Sequence, residues 1–268
     1  MKRIAAMIAG LALAASAGGA AHAGVVIDEQ VTNSQANGPS VTHTRELMVQ
    51  GHKEKLVSER NSVVIDLDKG TMILIDPGQK VFAEMPFPPH TMMAANTSSE
   101  LNLNFKKTGK QSKVIGYSCS EYAGAGKTMI AAVTTTACFS NSAPGAAEFS
   151  EFTKAMAKRL QAAKAMAGAM PDGIPLTMVS TRTMSGDFAI PGLPSAQATR
   201  LKEMMAKQGP QTTKTEVIKV ATRELPADTF QAPAGYERRG APPAPTMPKA
   251  GNPGTAGART APPIKVPE

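Results

Sequence analysis

The chain has 268 residues, a formal net charge of +8, sixteen methionines, two cysteines and no tryptophan. That length is ample for one hydrophobic core. The basic residues are scattered and aromatics are few, so a stacking, basic-patch mode of nucleic-acid binding is excluded.

Met1 to Ala23 reads as an export signal. Lys2 and Arg3 precede an apolar run from Ile4 to Ala15, and Ala21-His22-Ala23 supplies a small-x-small cleavage pattern before Gly24. The run is shorter than the ~20 residues that cross a bilayer. No cysteine follows the cleavage pattern, so a lipid anchor is not expected. The expectation is a chain that does not span the membrane, released to the periplasm or secreted. There disulfides are permitted and nucleotide-driven chemistry is not expected. Losing Lys2 and Arg3 leaves a net charge near +6.

From Gly24 to Met85 the pattern predicts a meander of short strands. Its strongest pair is Ser62–Leu67 and Thr71–Ile75, joined by Asp68-Lys69-Gly70; Asp76-Pro77-Gly78-Gln79 marks the next turn. Pro86, Pro88 and Pro89 break the pattern, and a loop is expected to about Leu103. Val114–Tyr122 and Thr128–Phe139 read as a central hairpin turning at Gly124 and Gly126. After Phe139 the period changes. Phe149, Phe152, Met156 and Leu160 recur at three- and four-residue intervals, which predicts an amphipathic helix over residues 146–169. Ile174 to Thr183 returns to strand, Ser195 to Lys207 reads as a short second helix, and Gln211 to Glu224 reads as a closing strand. The stretch 239–268 is rich in Pro, Ala, Gly and Lys, without apolar period, and reads as a disordered basic tail. Residues 24–238 are expected to form a single domain.

Four short patterns carry a resemblance. They are Gly116-Tyr117-x-Cys119-x-x-Tyr122, Phe230-x-x-Pro233-x-Gly235-Tyr236, Ile65-Asp66-Leu67-Asp68-Lys69 and Ile75-Asp76-Pro77. Together they resemble an exported bacterial family known as a domain of unknown function (DUF4412-like), similar in architecture to the outer-membrane lipoprotein carriers. The resemblance implies an α+β fold: a strongly curved antiparallel sheet, a half-barrel, with one long and one short helix on its concave face. It implies no catalytic residues. A tryptophan expected in or after the second strand of the central hairpin is missing.

Cys119 and Cys138 are candidates for a disulfide that would add about 3 kcal/mol by closing a loop. A turn at Ala125 would leave them about 23 Å apart along the strands, far beyond bonding reach. The bond therefore requires a wider or bulged connection. Gly124-Ala125-Gly126-Lys127-Thr128 is not a phosphate loop, because Glu121 stands where its first glycine belongs and no helix follows. His90, Met92 and Met93, with Met166 and Met170, raise the idea of copper; an adaptable apolar pocket accounts for the methionines better. His43, His52 and His90 lack metal spacing, and no nucleophile, acid and base can be grouped. Catalytic, cofactor and metal residues are accordingly none. The function expected is a non-enzymatic periplasmic binding or carrier protein for a lipid, a lipoprotein acyl chain or another hydrophobic ligand. The alternative is an envelope structural protein whose tail contacts an anionic component.

Overall fold

The structure is a computed structural model and describes residues 23–36, 38–89, 103–127, 131–162, 170–184, 199–200, 203 and 209–240. The N-terminal meander is β1 (Gly24–Gln35), β2 (Val41–Gln50), β3 (Lys53–Ser58), β4 (Ser62–Asp66), β5 (Thr71–Asp76) and β6 (Val81–Pro86). A second run follows: β7 (Lys106–Val114), β8 (Tyr117–Lys127) and β9 (Ala131–Ser140). Then come helix α1 (Ala146–Ala162), β10 (Ile174–Met184), β11 (Gln211–Arg223), a 3₁₀ turn (Ala227–Phe230) and β12 (Glu237–Arg239). All described strands join one sheet in the order β12-β6-β5-β4-β3-β2-β1-β11-β10-β9-β8-β7. Every pairing is antiparallel except that of β12 with β6.

This corrects the expected α+β half-barrel with two helices. The protein is mainly β: a large open antiparallel sheet of twelve described strands, with one α-helix whose course is described. Neighbouring strands lie ~4.8 Å apart, whereas a helix of 17 residues is about 25 Å long at 1.5 Å per residue. Such a helix covers about half of a sheet this wide. Of the stretch 195–207, only Thr199, Arg200 and Glu203 are described, and they are helical; the remainder lies outside the described residues. The continuation of the long helix over 163–169 lies outside them as well.

Local chemistry explains most of the meander. Asp66 Oδ1 accepts the Lys69 N–H at 2.9 Å, and Asp76 Oδ1 accepts that of Gln79 at 3.0 Å. These Asx turns reverse the chain between β4, β5 and β6. The central hairpin differs from its expected form. Gly124 and Gly126 lie inside β8, and the β8–β9 register pairs Lys127 with Ala132 and Glu121 with Cys138. The connection is therefore at 128–130, outside the described residues. That shift removes the geometric objection to the disulfide. Cys119 and Cys138 come to a Cα separation of 5.4 Å and are bonded. Gly124 has a packing role instead: a Cβ there would lie 3.1 Å from the Phe105 ring. Phe105 and Tyr122 both meet Phe139 edge-to-face, at 6.0 and 5.6 Å between centroids. The tight glycine turn is one hairpin earlier. Ile115 (φ 45°) and Gly116 (φ 91°) form a two-residue loop between Val114 and Tyr117, the two-positive-φ geometry that suits strand twist. Glycine adopts it freely, whereas β-branched isoleucine does not.

Both faces of the sheet's middle are buried, by different means. On one face α1 places Phe149 and Phe152 against Val25, Ile27, Val49, Ile65, Leu176 and Val217. Its first turn is tied to the sheet by a contact between Glu148 and the Gly51 N–H. Its last turn is tied by Arg159, whose Nη1 and Nε donate to the carbonyls of Leu67 (2.8 Å) and Phe87 (3.0 Å). The helix thus runs across the strands, from β1–β2 to the ends of β4 and β6. On the other face the segment after β11 acts as a strap: Leu225, Phe230 and Tyr236 pack on Val26, Met48, Val64 and Ile75. The sequence pattern Phe230-x-x-Pro233-x-Gly235-Tyr236 is this strap. Consecutive apolar residues in β4 and β5 are what a strand covered on both faces requires.

Two stability changes are expected. Phe152→Ala empties a fully buried site and lowers the unfolding free energy in urea by about 3–5 kcal/mol. Ile115→Asn relieves an exposed residue held in the left-handed region and raises it by about 1 kcal/mol; an unchanged or lower value contradicts the strained turn.

Candidate binding groove

The helix is tied to Leu67 and Phe87, which follow the C-terminal ends of β4 and β6. The N-terminal ends of those strands, Ser62 and Val81, lie at the other side of the sheet. An open groove of about 420 Å³ lies there, within the ~300–1,000 Å³ typical of small-molecule sites. Its apolar surface is the cross-strand row Val63, Leu74 and Ala83, continued by Arg239 of β12; the next row, Ser62, Ile75 and Phe82, turns its side chains to the strap face. Val63, Leu74 and Ala83 are only half-buried, so apolar surface on this face remains open to solvent.

Charged groups ring this surface. Arg60 comes from the β3–β4 turn, which Ser58 stabilises by donating to the Asn61 side chain at 2.7 Å. Arg239 comes from β12, a strand held beside β6 by the Glu237 N–H donating to the Lys80 carbonyl at 3.0 Å. Both arginines line the groove. Arg239 lies in a strand although the sequence pattern assigned it to the tail. Asp76 also lines the groove, but one of its oxygens is engaged by the Gln79 N–H.

A second feature is ionic and largely buried. Glu29 is buried on β1 opposite Arg45 on β2, with Arg45 Nε 2.5 Å from Glu29 Oε2. Glu54 on β3 sits between Val49 and Ile65, both core residues of the helix face. Burial pushes the Glu54 carboxyl up to about 7; Arg45 opposes that shift and Glu29 adds to it. A cleft of about 570 Å³ with mixed polar and apolar lining lies where the strap leaves the sheet. It is lined by Gln50, His52, Lys53, Asp68, Glu224 and Leu225, with His52 Nδ1 2.7 Å from Asp68 Oδ1.

Of the residues singled out in the sequence, Cys119 and Cys138 are bonded, with Ser112 Oγ 3.3 and 3.2 Å from their sulfurs. His90, Met92, Met93 and Met166 lie outside the described residues. Among the described residues no three His, Cys, Asp or Glu side chains gather as a metal site, and no helix is long and apolar enough to cross a membrane. Arg60, Arg239, Glu29, Arg45 and Glu54 were not singled out. Glu29 carried a signal, an acid in the inward-facing alternation Val25, Ile27, Glu29, Val31. The two arginines carried none, because the chain between them is most of the protein.

Residues 41–205, more than half of the chain, match the family described as domain of unknown function (DUF4412). The chain belongs to the DUF4412 family. The match covers β2 through β10 and stops short of β1, β11 and the strap. No functionally curated protein matches this DUF4412 chain. Solved structures with partial likeness include PNGF-II, at 12% identity and a TM-score of 0.38, over 82% of this chain and 31% of that one. A DUF1329 family protein from Desulfovibrio piger ATCC 29098 is 8% identical with a TM-score of 0.33, over 78% of this chain and 90% of that one. The LolA superfamily protein NE2245 from Nitrosomonas europaea is 5% identical with a TM-score of 0.30, over the same shares. The chain spans about a third of the length of PNGF-II. No assignment of fold or function rests on likeness at this level.

The Glu54 carboxyl makes stability depend on pH in a defined direction. In the fold it holds its proton up to about pH 7; in the unfolded chain it loses the proton near 4.5. Between those values the folded state binds more protons, so its stability falls as pH rises. Glu54→Gln removes that loss. Relative to wild type the variant gains about 1–3 kcal/mol between pH 5 and pH 8, read from urea unfolding at the two pH values. Parallel curves for the two proteins would contradict a buried, proton-holding Glu54.

Proposed function

We propose that this DUF4412 protein is a non-enzymatic, periplasmic binding or carrier protein for a hydrophobic ligand, held in the groove of β4, β5 and β6. The observation that carries this reading is the groove itself: a half-buried apolar row of Val63, Leu74 and Ala83 in a cleft of about 420 Å³. Each methylene withdrawn from water onto such a surface stabilises the complex by roughly 0.8 kcal/mol, so an acyl chain binds without any catalytic group. The export signal of Met1–Ala23 supports the address, and the Cys119–Cys138 disulfide suits an oxidising compartment.

The site predicts its own disruption. Leu74→Glu puts a charge on the groove's middle strand at a position that is half-buried and tolerates the change. Displacement titrations with the neutral dye N-phenyl-1-naphthylamine should show saturable binding to wild type and at least a tenfold weaker dissociation constant for Leu74→Glu. Circular dichroism should show the fold intact. Equal dye binding by the two proteins, or none by either, would overturn the reading.

A further inference from the structure

Resting on that reading, we propose that the ligand is a single-chain fatty carboxylate, its chain in the groove and its head held between Arg60 and Arg239. The two guanidiniums reach one groove from opposite parts of the chain, the β3–β4 turn and β12. An arginine is charged at any physiological pH and offers five N–H donors in a planar fork. Among the described residues Arg60 makes no ion pair. Arg239 spends one donor on a neutral acceptor, Gln79 Oε1, at 3.1 Å.

Among the lining residues the carboxylate is that of Asp76. Glu84 pairs with Arg238 at 2.9 Å. Asp76 accepts the Gln79 N–H that closes the β5–β6 turn. Two cations against one carboxylate leave the rim of an apolar groove positive. A carboxylate matches the arginine fork with two parallel hydrogen bonds. A neutral head would leave both cations unanswered, and a volume of about 420 Å³ falls at the small end of ligand sites, which favours one chain over two.

The experiment uses the full mature chain, delipidated, with N-phenyl-1-naphthylamine in the groove and two competitors of equal chain length, myristate and methyl myristate. Myristate should displace the dye at a concentration about tenfold or more below that of its ester. In Arg60→Gln/Arg239→Gln that preference should vanish, acid and ester then displacing the dye at equal concentrations; both side chains are exposed, so the fold should keep its melting temperature. Restoring charge as Arg60→Lys/Arg239→Lys should bring back part of the preference. Equal competition by acid and ester in wild type, or a preference that survives in the double Gln variant, would overturn the head-group assignment while leaving the apolar groove standing. A dioleoyl phosphatidylglycerol competitor that outdoes myristate would overturn the single-chain assignment. Failure of the dye to bind at all would remove the groove reading and this inference together.

Discussion

The pairing of β1 with β11 holds the molecule together. Gly24–Gln35 and Gln211–Arg223 run antiparallel over the whole length of β1, with one register shift at Asp28/Glu29. On one side of this seam lies the N-terminal meander β2–β6, on the other the run β10–β7. Without it each half would present a long open edge, the arrangement most exposed to mispairing. The pairing spans nearly the whole chain in sequence, so its loop closure comes at a cost that local pairs do not carry. Val25, Ile27 and Val217 offset that cost by entering the same core as Phe149 and Phe152.

Once the halves are joined, the sheet is wider than its helix. Helix α1 is fastened at both ends, by Glu148 at Gly51 and by Arg159 at Leu67 and Phe87, so its reach is set. The strap carrying Leu225, Phe230 and Tyr236 deals with the opposite face. Beyond the cover, apolar positions of β4, β5 and β6 stay half-exposed. The groove is the consequence of that mismatch. Elsewhere the sheet is protected by charge: the outer strand β7 carries Lys106, Lys107, Lys110 and Lys113, all solvent-exposed, a common defence against edge-to-edge association.

The polar groups within the sheet are of two kinds. Glu29 and Arg45 form a close pair of cross-strand neighbours, and Glu54 is kept among Val49 and Ile65 at the expense of its ionisation. Burial of a carboxyl that lacks a close cation of its own favours the neutral form. The arginines at the groove rim are the opposite case, exposed cations that outnumber the one carboxylate lining the groove with them. Burial therefore neutralises an acid inside the sheet, whereas bases at its solvent-exposed rim keep their charge.

Much of this was written into local sequence. Short apolar runs between aspartate turns specified β4 to β6, period-two alternation specified β10 and β11, and the 3.6-residue recurrence of Phe149, Phe152 and Met156 specified the helix and its start. Those signals are legible because each depends on residues a few positions apart. Where the outcome depended on distant partners, the sequence alone misled. The β8–β9 connection moved from Gly124–Gly126 to 128–130, because strand register follows the burial of Phe139 and Ala137 and not the nearest glycines. The sheet proved open and mainly β, since its width is the sum of two meanders that only the β1–β11 seam unites. Arg60 and Arg239 share a groove for the same reason: β12 lies beside β6, and nothing near either residue in the chain announces the other.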